Sequence, residues 1–228
     1  MYTHATHKYQ HACMMLMRRH GGEGAIFLGT AFVCHSKGYL LTVRHLYGEN
    51  PEDLFVVSSR STDDFQPIVR DQVTSCPVRV VAEDAGSDLA LLQFDPAAHF
   101  DTPDHLLGNS EQLPLGASVL GLGFPFGNQQ LHNLATVSSI VASKVTMPGG
   151  YNEILIDSRV HMGDRGGPLV SVDDARIVGI IWGRFCPMRD GSGIRAAYCE
   201  GAMDTNISAV VPIEYGISLM EQCGLEVS

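Results

Sequence analysis

Long apolar runs are missing from this 228-residue chain, and nothing approaches the roughly 20 uninterrupted apolar residues that cross a bilayer. The patch Cys13-Met14-Met15-Leu16-Met17 is too short for a signal-peptide core and is followed, not preceded, by Arg18-Arg19. These absences predict a cytoplasmic protein with no membrane partner. Charge is sparse, at 18% of residues, and lopsided toward a formal net charge of -10. Binding to a nucleic-acid backbone needs clustered lysine and arginine, so no nucleic-acid partner is expected. Six cysteines are too few for a disulfide-dense scaffold, and no paired C-x-x-C spacing points to zinc. Cys186 and Cys199 flank a Gly- and Arg-containing loop, where a bridge would stabilise by roughly 3 kcal/mol in the loop-entropy model. Free thiols are the expectation in a reducing cytosol.

What the chain does have is 45% apolar residues, the composition of a folded globular protein. Thr3 to Arg19 contains no Gly or Pro and predicts one helix capped by Thr3, so residues 1–20 read as a helical segment. Within it His4, His7 and His11 fall on one helical face, a spacing able to hold a metal. No carboxylate or cysteine completes a ligand set, so a solvated face is expected, with no metal and no cofactor.

After His20-Gly21-Gly22-Glu23-Gly24 the helical period gives way to short apolar runs bounded by turn residues. Ala25–Cys34, Tyr39–Val43, Leu54–Ser58, Pro67–Val69, Val78–Ala82 and Leu89–Phe94 form a first series of expected strands. A polar connection from Asp95 to Ala117 precedes a second: Ser118–Leu122, Leu134–Ser143, Glu153–Ile156, Pro168–Val172, Arg176–Trp182 and Ser208–Val211. Pro212 stops the last strand and Glu214–Cys223 reads as a closing amphipathic helix. The fold class is therefore all-β: two packed barrels, about 21–95 and 118–228, within one domain of residues 21–228.

The strongest chemical signal is Gly163-Asp164-Arg165-Gly166-Gly167-Pro168. Glycines flanking a central residue let the backbone turn tightly and gather N–H groups into one concavity, the geometry of an oxyanion hole. His45 ends the expected strand Tyr39–Val43, and Asp88 opens the apolar run Leu89-Ala90-Leu91-Leu92. Histidine, aspartate and glycine loop thus follow the chain order of a His–Asp–nucleophile set.

These segments resemble the trypsin-like peptidases, and most closely their HtrA/Deg branch. Gly29-Thr30-Ala31-Phe32-Val33 is similar to that family's G-S-G-F-V strand, and Gly38-Tyr39-Leu40-Leu41-Thr42 with His45 to G-Y-I-L-T-x-x-H. Asp88–Leu92 is similar to D-L-A-V-L, Val119–Gly127 to V-x-A-I-G-x-P-F-G, and Asn206–Pro212 to the final G-I-S-F-A-I-P. The resemblance implies a chymotrypsin-like fold in which His45 is the general base, Asp88 its orienting carboxylate, and the N–H groups of Gly163 and residue 165 the oxyanion donors. The nucleophile position falls on Arg165.

A guanidinium is always protonated and has no lone pair to attack a carbonyl, so the resemblance implies a serine hydrolase fold without serine chemistry. Ser158 and Cys186 are the nearest substitutes, and each would have to reach a carbonyl placed for another residue. Arg159, His161, Trp182 and Gly183 are implied to border the substrate pocket. The expectation is a pseudo-peptidase that takes a peptide or protein in its cleft. The alternatives are an active endopeptidase represented by a nucleophile-inactivated variant, or an assembly subunit that forms a homo-oligomer through the N-terminal segment.

Overall fold

The computed structural model describes residues 1–22, 24–59, 64–68, 73–103, 105–187, 193–195 and 205–227. Helix α1 (Tyr2–Tyr9) precedes strands β1 (Cys13–His20), β2 (Gly24–His35), β3 (Tyr39–Val43), β4 (Leu54–Ser58), β5 (Ser75–Asp84) and β6 (Leu89–Phe94). These six strands close a barrel in the order β1-β2-β3-β6-β5-β4. A second series follows: β7 (Ser118–Gly123), β8 (Ala135–Thr146), β9 (Asn152–Asp157), β10 (Pro168–Ser171), β11 (Ile177–Pro187), β12 (Gly193–Arg195) and β13 (Ile207–Pro212). Six of them close through the order β10-β7-β8-β9-β13-β11 and the pairing of β10 with β11, while β12 extends β11. Helix α2 (Ile213–Gln222) ends the chain's regular structure.

Alternation along the strands builds three cores. Leu40, Ala90 and Leu92 fill the first barrel, and Val119, Ile154, Leu169 and Val210 fill the second. Leu41, Val43, Leu89 and Leu91, on the opposite faces of the same strands, pack with Leu120, Leu122, Val170 and Ile180 in the seam between barrels. Two-sided burial explains why Leu89-Ala90-Leu91-Leu92 is continuously apolar: each residue meets one core or the other.

The N-terminal reading needs correction. The helix covers Tyr2–Tyr9 only, and Cys13–His20 is the strand that closes the first barrel against β2 and β4. The first barrel therefore begins at Cys13, ahead of residue 21. Apolar residues Cys13 to Leu16 are all buried, so the Gly- and Pro-free stretch follows the demand of two neighbouring strands over local helix propensity. His11 lies beyond the helix, so the face shared with His4 and His7 does not form. In the expected strand Pro67–Val69, residues 67 and 68 are not in a strand, and Val69 lies outside the described residues.

Candidate active site

His45 leaves β3 in a 3-10 turn, Arg44–Leu46. Its backbone N–H donates to Asp88 Oδ1 at 3.1 Å, and its Nδ1 lies 2.6 Å from Asp88 Oδ2. Asp88 has φ of 61°, in the left-handed region few non-glycine residues occupy, although aspartate enters it more readily than most. Arg44 N donates to Asp88 O at 2.8 Å, which ties the two segments together a third time. A carboxylate at Nδ1 favours the tautomer in which that nitrogen donates and Nε2 keeps its lone pair. Nε2 is buried and has no hydrogen-bond partner among the described residues.

The glycine loop is clamped between the barrels. Thr30 of β2 donates through Oγ1 to Gly163 O at 2.7 Å, accepts Phe124 N at 3.2 Å, and donates its own N–H to Arg165 O at 2.8 Å. From the other side, Gly166 N donates to Ile181 O and Ile181 N to Gly167 O, each at 2.8 Å. A Cβ at Gly163 would fall 1.9 Å from Phe124 O, and one at Gly166, where φ is +82°, 2.1 Å from Thr30 O. Only glycine fits at either position.

Met162–Asp164 form a 3-10 turn closed by His161 N donating to Asp164 Oδ2 at 2.8 Å. Asp164 is 2% exposed, and its Oδ1 is buried without a hydrogen-bond partner among the described residues. Burial pushes this carboxyl above its ordinary range, against a smaller pull down from the His161 backbone bond.

Arg165 is 6% exposed. Its side chain runs onto β11, where a Cβ built on Gly183 would lie 3.0 Å from Arg165 Nε and 3.7 Å from Cζ. Gly183 therefore accommodates the guanidinium by having no side chain. Next to it, Trp182 donates from Nε1 to Asp88 Oδ2 at 2.6 Å. The indole also lies against the imidazole of His45, with ring centroids 4.9 Å apart.

His45, Asp88, Arg165, Trp182 and Gly183 thus converge at the barrel junction. At its rim, exposed His161 packs against Phe126 with ring centroids 5.0 Å apart. Arg159 is exposed; burial and then the charge of Arg159 lower the Arg184 guanidinium from its ordinary value. Ser158 is buried, its carbonyl accepting Ser208 Oγ at 2.6 Å. Cys186 is disulfide-bonded, so it offers no thiolate and the free thiol expected from the sequence is corrected there; Cys199, considered as a bridge partner from the sequence, lies outside the described residues. Thr30 was not singled out from the sequence, where its only signal was its place within Gly29–Val33.

Comparison with known proteins agrees with this architecture. The family profile described as Trypsin-like peptidase domain matches residues 29–180. A probable periplasmic serine endoprotease, DegP-like, from Pseudomonas fulva (strain 12-X) is 31% identical over 172 residues, covering 72% of this chain and 31% of the relative. Its namesake from Hahella chejuensis (strain KCTC 2396) is 27% identical over 208 residues, covering 90% of this chain and 37% of its own. The chain spans about a third of the length of these curated relatives. Among solved structures, HtrA-type protease AlgW with decapeptide superposes with a TM-score of 0.68 at 20% identity, covering 97% of this chain and 67% of that one. AlgW with tripeptide gives a TM-score of 0.64 at 20% identity, covering 97% and 63%. The cytoplasmic placement expected from the sequence is overturned by these relatives, which are named periplasmic. The profile match over more than half of the chain, together with the relatives and the shared fold, establishes that this chain belongs to the trypsin-like peptidase domain family, in its HtrA/DegP-like group.

Proposed function

We propose that this chain is an HtrA-type protease homologue that binds peptide in its cleft and does not hydrolyse it by the serine route. The observation that carries the reading is Arg165 in the loop where the family's nucleophile belongs, its guanidinium laid against Gly183. A serine there would give its proton to His45 Nε2, the buried nitrogen without a hydrogen-bond partner among the described residues. Loss of the nucleophile from a triad costs on the order of a million-fold in turnover in subtilisin, and the disulfide-bonded Cys186 cannot replace it. The N–H groups of Gly163 and Arg165 are assigned as the donors that would face a peptide carbonyl. Peptide as ligand draws support from the related structures, named as HtrA-type protease with decapeptide and with tripeptide.

A periplasmic location is part of the same proposal. It is supported by the relatives' names and by the disulfide at Cys186, since such bonds persist in oxidising compartments.

The short Asp88–His45 contact of 2.6 Å favours a second reading, an active endopeptidase represented here by a nucleophile-inactivated variant. One experiment separates the two. The chain as it stands is expected to resist a fluorophosphonate probe and still retain members of a peptide library; labelling would end the first reading. If Arg165→Ser becomes labelled and cleaves a casein-like substrate, the remaining machinery is competent and the second reading stands. A folded but unlabelled Arg165→Ser protein would leave only the binding role.

A further inference from the structure

We infer that Trp182 is a positioning residue for the His45–Asp88 pair, reaching from the second barrel to fix a dyad supplied wholly by the first. Two independent observations carry this. The first is the hydrogen bonding of Asp88. Its Oδ2 meets both His45 Nδ1 and Trp182 Nε1, each at 2.6 Å, and its Oδ1 meets the His45 backbone N–H at 3.1 Å. An indole nitrogen only donates, so Trp182 cannot relay a proton; its N–H holds Oδ2 as an acceptor in one orientation. That orientation sets the imidazole tautomer, because the ring nitrogen facing the carboxylate must carry the proton.

The second observation is backbone register. Along β11 and β13, Ile181 pairs with Val210 and Gly183 with Ala209, so the ladder slips at Trp182. A bulge takes one residue out of the alternation and re-aims its side chain. Here it turns a large indole off the sheet and across the seam, where it is 5% exposed and lies against His45 with centroids 4.9 Å apart. One side chain therefore does two things: the N–H fixes the carboxylate, and the ring closes one face of the imidazole against rotation. This departs from a pocket-wall role for Trp182 and does not depend on what occupies position 165.

Nuclear magnetic resonance on the full ¹⁵N-labelled chain tests the inference, because Trp182 is the single tryptophan and gives one indole N–H signal. Asp88→Ala is expected to move that signal to the position of a neutral, uncharged environment. Trp182→Phe keeps an aromatic ring but lacks the donor. It is expected to speed solvent exchange of the His45 Nδ1 proton about fivefold to tenfold, the weight of one ordinary hydrogen bond, without unfolding the protein by circular dichroism. An unmoved indole signal in Asp88→Ala would overturn the assignment, as would unchanged Nδ1 exchange in a folded Trp182→Phe. If Trp182→Phe does not fold, the Asp88→Ala spectrum decides alone.

Discussion

Position 165 joins an ordinary backbone, φ −59° and ψ 136°, to an arginine side chain that is 6% exposed. The neighbouring glycines are the opposite case, since their lack of a side chain is what the loop requires. Gly166→Ala would drive a Cβ toward Thr30 O from a left-handed backbone. It should cost about 1–3 kcal/mol, read as a fall in thermal midpoint of roughly 2–4 °C per kcal/mol; an unchanged melt would contradict the packing described. Asp164 makes a prediction in pH. Its buried carboxyl holds a proton more tightly in the folded protein than in the unfolded chain, where the value is about 3.9. The stability it contributes is thus fully present below that unfolded value and is lost as pH rises through the raised folded one. Asp164→Asn should flatten the decline in melting temperature on the alkaline side of about pH 4, and equal slopes in both proteins would refute this. The glycine loop, His45 and Asp88 were legible in the sequence because turn-permitting residues and strand ends mark them in order. The left-handed φ of Asp88 was not, since its cause is the distant pairing with Arg44 and His45.

Strands are where sequence and structure agree best. Tyr39–Val43, Leu54–Ser58 and Leu89–Phe94 begin and end where turn residues and apolar patterning place them. Failure came where a distant neighbour outweighed local preference. Cys13–His20 carries no β signal stronger than its helix propensity, yet it is the only strand that pairs with both β2 and β4 among the described residues. The bulge at Trp182 was equally hidden, because a one-residue slip in register leaves no mark in composition. Helix α1, left short by β1, is anchored: Ala5 and Tyr9 are fully buried, and Tyr9 Oη donates to Ala175 O at 2.6 Å and Leu106 O at 3.2 Å. The N-terminal helix is thus fastened to its own chain. Tyr9→Phe removes one donor from each of those carbonyls, which keep Lys8 Nζ at 2.8 Å and Ile177 N at 3.0 Å respectively, and should cost about 0.5–1.5 kcal/mol, measurable by urea unfolding. A variant as stable as the parent would show that the anchor is apolar alone.

At the scale of the molecule, the net charge of −10 serves solubility and leaves the fold to the three cores. Among the cysteines, Cys13, Cys34, Cys76 and Cys223 are free and Cys186 is bonded. A reductant should therefore act through one bond, and lost loop constraint predicts destabilisation by roughly 2–4 kcal/mol. Identical melts with and without dithiothreitol would remove this support for an oxidising compartment. The two-barrel plan was readable because two strand series flank a polar connection. The seam was not, since it depends on which alternate residues face which barrel. That seam is also where Thr30 grips the glycine loop of the other barrel, through its hydroxyl and its N–H. Local fluctuation within either barrel cannot release such a loop. The amide protons of Thr30 and Gly166 should then exchange with deuterium only when the barrels separate, with the protection of global unfolding and not of a surface turn.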